Sequence, residues 1–505
     1  MPRKLLCASL ALALALASSA AGPRAVFTYT PAVEDALDHI SENSLRGNLS
    51  FLSSDLLEGR DTPSRGLDIA AEFIAAQFRK ARLEPAGENG YFQTGQYLLS
   101  EAKPETFELK FENGGETVTV TGDVALQAAG GLHIERAGAV LAKFGGSATP
   151  RAEEVAGKVL FAEWPGQPRT RSFSRIQELR ALKPALLVML DRAGRFTRGQ
   201  PGPGLVDPEE QAGAAPWITI HNDDLAKAVL RNPADAAVSV RVEAPVETPV
   251  KLRNVLGLVR GSDPGLKDTC VLVTAHYDHV GVKPGCTEGD CIYNGANDDA
   301  SGTVSVIEIA NALAALRERP RRSILFLALF GEEKGSYGAR YYIRHPAFPL
   351  EKTVADVNLE QLGRTDADDG PQVGTATFTG FDFTDLPKTF QAAGKLTGVK
   401  VYKSAPSDDY FSRSDNQAFA NAGVPAHTMC VAYDYPDYHG VGDSWDKIDY
   451  ANMAKVDRMV ALGVLMLAEN PAPPHWNESN GKTAAYLQTW KRLHEGGGAP
   501  AATAH

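Results

Sequence analysis

The sequence predicts an α/β fold in which a mostly parallel central sheet carries helices on both faces. One observation is the apolar, β-branched run at residues 271–273, which leads through a polar loop into an apolar helical pattern ending near Leu313. Another is segment 323–330, which is almost wholly apolar, as strands covered on both faces are. A helix between two such strands forms a βαβ unit, so the strands should be parallel and the crossover right-handed.

Polar side chains follow these strands and two later ones, predicted at residues 354–359 and 424–431. The polar side chains are His276, Asp298, Glu332, Glu333, Glu360 and His439. In open α/β sheets, sites lie outside the carboxyl ends of the strands, so we expect these side chains to gather along one edge. Imidazoles and carboxylates are ligands for divalent metals. The sequence therefore predicts a metal site at this edge.

The start of the chain predicts export. Arg3 and Lys4 precede an apolar run, and small residues follow at 18–22, which is typical of a secretory signal peptide at residues 1–21. No other stretch is apolar for long enough to span a bilayer. We therefore expect a periplasmic or secreted protein without a membrane span.

Changes in composition predict the domain limits, because a chain of 505 residues is too long for one ordinary domain. Residues 22–119 form the first part of the main domain, and residues 120–248 form a β-rich insert without a cluster of metal-binding residue types. The main domain resumes at 249–475. A C-terminal tail follows at 476–505, and its Gly/Ala-rich end is expected to be disordered.

The composition, 43% hydrophobic and 22% charged, is that of a globular protein. The net charge of −11 and the lack of basic clusters argue against nucleic acid or an anionic membrane as partner. Cys286 and Cys291 lie in one short loop and are expected to form a disulfide. Cys270 and Cys430 lie on predicted core strands and are either buried thiols or a second bridge.

Each candidate residue has an ordinary structural explanation when it is considered alone. A histidine after a strand can be a satisfied core residue, adjacent glutamates can be a solvated surface, and Asp-Asp before a helix can be an N-cap. The constellation at successive strand ends is what favours a catalytic metal site. Adjacent residues in an extended loop point opposite ways, so one of Glu332 and Glu333 can bind metal while the other faces a water. The residues alone leave open which one does so.

Together these motifs resemble the co-catalytic dizinc aminopeptidases of the transferrin-receptor/glutamate-carboxypeptidase clan. The resemblance spans residues 40–470 and is carried by His-Tyr-Asp at 276–278, Gly-Ala-Asn-Asp-Asp-Ala-Ser-Gly at 295–302, Phe-Gly-Glu-Glu at 330–333, Tyr-His at 438–439, NLSFLSSDLLEGR at 48–60 and Ser-Trp-Asp-Lys-Ile-Asp at 444–449. The insert resembles the protease-associated domain that many members carry.

The resemblance implies two zinc ions bridged by Asp298. His276 and Glu360 would bind one of them, and Glu333 and His439 would bind the other. Two zinc ions in such a site share a hydroxide and polarise the substrate carbonyl. Most relatives have Asp where this chain has Glu360, and the longer side chain makes this ligand a departure from the pattern.

The resemblance also implies roles for residues around the ligands. Glu332 would be the general base that moves a proton to the leaving amine. Asp278 would hydrogen-bond the far nitrogen of His276, and Asp298 and Asp299 would share a cis peptide bond. Tyr438 could donate to the developing oxyanion, although a structural tyrosine would fit the pattern equally well. Many relatives read Ser-Asp-His where this chain has Ser-Asp-Asn at 414–416, which leaves the role of that stretch open.

The expected function is hydrolysis of N-terminal residues from peptides by an exported dizinc exopeptidase. The alternative is a carboxypeptidase or dipeptidase on the same scaffold, which would need a cationic clamp for the substrate carboxylate; Arg364 and Arg413 are candidates. A glutaminyl-cyclase-like enzyme needs one zinc ion, and non-catalytic receptors of the clan typically lose ligands, so an intact ligand set argues against both. The preferred substrate residue, the oligomeric state and the use of another divalent metal stay open.

Overall fold

The structure, a computed structural model, describes residues 27–127, 131–142, 150–164, 169–192, 203–211 and 215–495. The predicted signal peptide and the end of the tail after Glu495 lie outside these residues. The helices are α1 (Pro31–Leu37), α2 (Glu42–Leu52), α3 (Arg65–Lys80), α4 (Ala152–Val155), α5 (Arg169–Ala181), α6 (Pro208–Gln211), α7 (Asp223–Arg231), α8 (Gly302–Ala314), α9 (Tyr337–Arg344), α10 (Leu386–Thr397), α11 (Ser407–Tyr410), α12 (Asn416–Asn421), α13 (Tyr450–Glu469) and α14 (Ala484–Glu495). The strands are β1 (Glu84–Pro85), β2 (Phe92–Glu101), β3 (Glu108–Asn113), β4 (Glu116–Val120), β5 (Val124–Gln127), β6 (Leu132–Ala142), β7 (Val159–Glu163), β8 (Leu186–Leu190), β9 (Gly204–Val206), β10 (Trp217–Ile220), β11 (Ala237–Val242), β12 (Val246–Val259), β13 (Cys270–His276), β14 (Gly281–Val282), β15 (Ile292–Tyr293), β16 (Ser323–Leu329), β17 (Thr353–Leu359), β18 (Asp366–Ala367), β19 (Gly370–Pro371), β20 (Thr375–Phe378), β21 (Lys400–Tyr402) and β22 (Ala426–Cys430).

The larger sheet has the strand order β21-β20-β22-β17-β13-β16-β12-β2-β9, with β1 paired to β12. Its four central strands, β22, β17, β13 and β16, are parallel to one another. Strands β12, β2 and β9 extend one side of the sheet in antiparallel pairs, and β20 pairs antiparallel with β22 on the other side. The four strand ends predicted to carry polar residues therefore meet at one edge, as expected.

Helices cover both faces of this sheet. Alternate residues of each strand point to opposite sides, and the apolar side chains on each side pack against helices. Val271 and Val273 pack in one apolar cluster with residues of α2, α3, α8, α10 and α13. Cys270 and Leu272 belong to a second cluster that includes residues of α9 and α12. Residues of α14 pack against this second cluster, so the predicted C-terminal tail begins as a folded helix.

The second sheet belongs to the insert and has its own apolar core. Its strand order is β4-β3-β11-β6-β7-β8-β10-β5, and β6, β7, β8 and β10 are parallel. Strands β3 and β4 already pair within this sheet, so the predicted boundary at residue 120 lies too late in the chain. We call β9 and α6, with Asp207 between them, the arm of the insert. This arm lies against the main domain, where β9 pairs with β2.

The cysteines settle two smaller expectations. Cys286 and Cys291 form the predicted disulfide, with their Cα atoms 5.7 Å apart. Cys270 and Cys430 are buried free thiols rather than a second bridge. Within the described ranges, no helix is both long and apolar enough to cross a bilayer.

Candidate metal centre and active site

The predicted site residues gather at the carboxyl ends of the central parallel strands. His276 is the last residue of β13, Glu332 and Glu333 lie beyond the end of β16, and Glu360 follows β17. Asp298 lies in the distorted turn Ala296–Ser301, immediately before α8. His439 comes from the loop after β22. Topology therefore explains why residues so far apart in sequence lie together.

The carboxylate of Asp298 lies between two groups of donors. Its Oδ1 atom is 3.3 Å from His276 Nε2, which is also 3.4 Å from Glu360 Oε1. Its Oδ2 atom is 2.9 Å from His439 Nε2, which is 3.3 Å from Glu333 Oε1. We call His276 and Glu360 the first half-site, and Glu333 and His439 the second half-site; Asp298 contributes one oxygen to each.

These atoms fit the ligands of a divalent metal. In a tetrahedral zinc site with bonds of about 2.0–2.1 Å, ligand atoms lie about 3.3 Å apart, which is close to the separations in both half-sites. Glu333 Oε1 is buried and has no hydrogen-bond partner, although buried carboxylate oxygens are normally satisfied. A shared cation would satisfy this oxygen.

The electrostatics of the second half-site also favour a cation. Burial disfavours the charged form of His439, but the carboxylates of Asp298 and Glu333 outweigh it and raise the pKa of this imidazole to about 10. Burial disfavours the charge on Glu333 as well, yet the neighbouring His279 and His439 lower its pKa to about 2. The carboxylates thus favour positive charge beside them, which protonated imidazoles or a bound metal would supply.

The two adjacent glutamates face different surroundings. Glu333 contacts the second half-site, whereas Glu332 lines an open cleft beside the donors. Burial raises the pKa of Glu332 well above its ordinary value. This is the arrangement that the resemblance implies, with one carboxylate among the ligands and its neighbour free to exchange a proton.

Asp278 has a different contact from the predicted one. Its carboxylate lies 3.6 Å from His276 Nδ1, too far for a hydrogen bond, and this nitrogen is instead 3.2 Å from the backbone oxygen of Asp278. The Asp278 carboxylate accepts hydrogen bonds from the backbone N–H of Glu332 at 3.0 Å and from the Thr62 hydroxyl at 3.1 Å. Asp278 therefore holds the Gly-Glu-Glu loop rather than the imidazole of His276.

The turn that carries Asp298 is fixed by two further carboxylates. The peptide bond between Asp298 and Asp299 is cis, as the resemblance implies. Asp299 accepts from the backbone N–H of Gly302 at 2.9 Å, at the start of α8. Asp443 accepts from the N–H groups of Asn297 at 3.0 Å and Asp298 at 3.1 Å. Asp443 was not predicted, although it adjoins the Ser-Trp-Asp-Lys-Ile-Asp motif.

Glu360 is oriented by the stretch whose role the sequence left open. The hydroxyl of Ser414 donates a short hydrogen bond to Glu360 Oε1 and accepts one from Asn358 Nδ2 at 2.8 Å. Asn358 Nδ2 also donates to Thr428 Oγ1 at 2.9 Å, and this hydroxyl donates to Asn416 Oδ1 at 2.9 Å. This chain of hydrogen bonds fixes the orientation of the Glu360 carboxylate.

Arg60 is a buried residue that sequence reasoning missed. Its guanidinium donates to the backbone oxygens of Tyr277 at 2.8 Å, Asn294 at 2.7 Å and Gly295 at 2.9 Å. Burial lowers its pKa to about 10. Arg60 thereby ties the loop after β13 to the turn before α8. Its place at the end of the motif at 48–60 was the available signal.

His279 is the other missed residue. It is fully buried, and its Nδ1 atom lies 2.9 Å from Glu333 Oε1. Together with Asp298, Glu333 and His439 it offers ligand atoms that all lie within 4.8 Å of one another. The available signal was an imidazole directly after Asp278 in the same loop.

The cleft beside the donors contains the predicted tyrosine and one of the two candidate clamps. Tyr438 is 44% exposed and stacks on His439 with ring centroids 4.2 Å apart, so it is not a buried structural residue. The guanidinium of Arg413 lies 4.1 Å from the ring centroid of Tyr410 at the cleft. Arg364 is buried and paired with Asp366 and Asp437. Its charge is therefore already neutralised.

A donor cluster at the carboxyl edge of an α/β sheet is suited to metal-assisted hydrolysis. Residues 254–464 match the sequence profile of Peptidase family M28, and this range includes every donor of both half-sites. The match agrees with the family predicted from the motifs.

Curated relatives named as zinc metalloproteases match this chain over part of their length. A probable zinc metalloprotease from Leptosphaeria maculans is 26% identical over 46% of this chain and 61% of its own. Another from Pyrenophora tritici-repentis is 33% identical over 45% of this chain and 59% of its own. The chain thus spans less than two thirds of these relatives.

A solved structure supports the fold. The aminopeptidase from Aneurinibacillus sp. strain AM-1 superposes with a TM-score of 0.53 at 18% identity, covering 86% of this chain and 95% of the other. At this identity the match concerns the fold, and it confirms the predicted α/β architecture.

Proposed function

We propose that this protein is an exported aminopeptidase that holds two zinc ions and removes N-terminal residues from peptides. The observation that carries the proposal is the carboxylate of Asp298, whose two oxygens lie 3.3 Å and 2.9 Å from the imidazoles of separate half-sites. A single carboxylate between two donor groups is suited to bridging a pair of metals. Export is supported by the composition of residues 1–22 and by the disulfide, which forms in oxidising compartments.

The donors divide naturally between the two ions. His276, Asp298 and Glu360 would hold one zinc ion, and Asp298, Glu333 and His439 would hold the other. When bound, such a pair polarises the scissile carbonyl and lowers the pKa of water.

The chain itself supplies the remaining groups. Glu332, at the cleft, takes the proton of the attacking water and gives it to the leaving amine. The Tyr438 hydroxyl donates to the oxygen on which negative charge develops. Asp278 acts indirectly. Its carboxylate accepts a hydrogen bond from the Glu332 backbone and thereby fixes the position of the Glu332 side chain.

Two features of the cleft bear on which end of the peptide is cut. An aminopeptidase needs acidic groups for the free amine, and Asp434, which is not among the proposed zinc ligands, lines the cleft. A carboxypeptidase or dipeptidase needs a cation, and Arg413 lines the same cleft while Arg364 is neutralised by its own carboxylate partners. Arg413 is therefore the observation that favours this second candidate. We also propose that the second domain is a protease-associated domain, as its resemblance implies.

A substrate panel tests the proposal. The purified protein is incubated with matched peptides that have a free amine, a blocked amine, or an amidated carboxyl terminus. An aminopeptidase cleaves the first and third but not the second. Loss of cleavage on amidation alone would favour the carboxypeptidase or dipeptidase. Cyclisation of N-terminal glutamine without cleavage, or no turnover by metal-loaded protein, would overturn both.

A further inference from the structure

His279 is a buried imidazole without a hydrogen-bond partner at either ring nitrogen. Its side chain has 0% exposure, so water does not satisfy these nitrogens from the surface. Leaving both nitrogens of a buried histidine unpaired is costly. By contrast, the buried His427 has hydrogen-bonding contacts at both nitrogens, with the Thr379 backbone oxygen at 2.7 Å and the Thr384 hydroxyl at 2.6 Å.

The fold holds the His279 ring in this position. Its backbone N–H donates to the carbonyl oxygen of Arg60 at 3.3 Å. The ring packs against Gly295, which has φ +57°, and a Cβ atom there would lie 2.5 Å from His279 Cγ. The chain therefore keeps a glycine where the ring approaches the backbone most closely.

The ring faces the second half-site. His279 Nδ1 lies 2.9 Å from Glu333 Oε1 and 4.0 Å from Asp298 Oδ2, and its ring centroid is 5.4 Å from that of His439. The short contact with Glu333 lacks the geometry of a hydrogen bond, since both atoms remain without a hydrogen-bond partner. Two such atoms held close together are arranged as neighbouring ligands of one cation.

We propose that His279 is a further ligand of the metal in the second half-site. This inference rests on the two-metal centre of the proposed function. The second half-site then has four protein ligands, which are His279, Asp298, Glu333 and His439. The first half-site has three, which are His276, Asp298 and Glu360.

The unequal ligand count assigns different tasks to the two positions. Four protein ligands give the second half-site the larger number of bonds to its metal, and a shared hydroxide would make it five-coordinate. Three protein ligands leave the first half-site the open position typical of a catalytic site. The second half-site therefore binds its metal more tightly and fills first. The first half-site, bordered by the cleft and Glu332, exchanges its metal more readily and receives the substrate.

The test counts metals and imidazoles without any substrate. Metal-free full-length protein is titrated with zinc against a chromogenic chelator, and bound zinc is measured by elemental analysis. Wild type should bind two zinc ions with different affinities. His279→Ala should weaken the tighter ion by about 100-fold or more, since even loss of a residue that only supports a ligand costs 10–100-fold. His427→Gln, at a buried histidine outside the centre, should leave both affinities unchanged in folded protein.

X-ray absorption at the zinc edge of the one-zinc wild-type protein requires no variant. Two imidazoles around this zinc ion are expected, and one in His279→Ala. One imidazole in the wild type, or unchanged affinities in folded His279→Ala, would overturn the proposal. Weakened binding with an unchanged imidazole count would also overturn it, because His279 would then only position Glu333. Two-metal binding as described without peptide hydrolysis would instead refute the proposed activity and leave this inference standing.

Discussion

The two sheets of this protein place polar residues at equivalent positions, the ends of parallel strands. They differ in whether these residues have hydrogen-bond or ion-pair partners. Each contains four parallel strands, β16-β13-β17-β22 in the larger sheet and β6-β7-β8-β10 in the insert. In the insert, Glu163 at the end of β7 lies 3.5 Å from Arg192. His221, after β10, has its Nδ1 atom 2.6 Å from the backbone oxygen of Asp191.

At the corresponding edge of the larger sheet, buried atoms remain unpaired. Both nitrogens of His279 and one oxygen of Glu333 lack hydrogen-bond partners. Acidic and imidazole residues at strand ends are therefore common to both sheets. Among the described residues, buried imidazole and carboxylate atoms without a hydrogen-bond partner occur in the main domain and not in the insert. Burial without partners is unfavourable for folding, and a cation held between His279 and Glu333 would offset that cost at this edge.

Metal removal should produce the largest difference in response between the two sheets. Exhaustive chelation, verified by elemental analysis, should lower peptide hydrolysis to the uncatalysed rate, a loss of about 10⁶-fold or more. The described part of the insert contains no comparable donor group. Hydrogen exchange at the backbone of β7 and β8 should therefore be unchanged, while exchange around the turn Ala296–Ser301 increases. Full activity in metal-free protein would show that the centre is not catalytic.

Substitution of Glu332 tests the cleft side of the centre. Glu332→Gln keeps the shape of the side chain and removes the base. Loss of a general base lowers kcat by about 10²–10⁴, or about 3–5 kcal/mol of barrier. Zinc content should stay at the wild-type value, because Glu332 is not among the donors. Steady-state kinetics and elemental analysis measure both quantities.

Two further variants complete that comparison. Glu333→Gln should lose affinity for one zinc ion, because a carboxylate of the second half-site is replaced by a weaker ligand. Glu163→Gln, at the end of β7 in the insert, should change neither kcat nor zinc content. If Glu332→Gln loses metal and Glu333→Gln retains both ions, the two roles are reversed.

Ser414→Ala should affect one half-site alone. The hydroxyl of Ser414 donates to Glu360, and its removal leaves that carboxylate free to rotate away from the first half-site. Metal affinity there should fall about 10–100-fold, as for other residues that orient a ligand. The second half-site is the internal control, because Ser414 does not contact it. Equal weakening of both ions in a zinc titration would contradict the separation of the half-sites.

The donors of the larger sheet were predictable because parallel strands place their carboxyl ends together. That topology gathers His276, Asp298, Glu332, Glu333, Glu360 and His439, whereas the choice of the five proposed ligands among them came from the resemblance. Their placement at one edge required no knowledge of side-chain packing.

His279 and the contacts of Asp278 were not predictable in the same way. Each depends on which way a loop turns after a strand, and Asp278 contacts Thr62 and Glu332, which are remote in sequence. The domain boundary failed for a related reason. Segment 108–113 alternates like any half-buried strand, and this pattern does not show which sheet it joins.

The smallest expected effect concerns the arm that joins the insert to the larger sheet. Arg344 of α9 pairs with Asp207 at 2.5 Å, Glu210 at 2.6 Å and Glu209 at 3.1 Å. Asp207 is buried, so Arg344→Ala removes the cation beside a desolvated carboxylate. Because the cluster is partly open to solvent, the loss in stability should be about 1–3 kcal/mol, less than for a fully buried pair.

The control is Arg231→Ala, which removes an exposed ion pair with Glu116 and should change the free energy of unfolding by no more than about 0.5 kcal/mol. Neither variant touches a donor, so both should retain wild-type zinc content. Urea unfolding and elemental analysis measure these outcomes, and loss of zinc in folded Arg344→Ala would show that the insert helps to hold the metal centre.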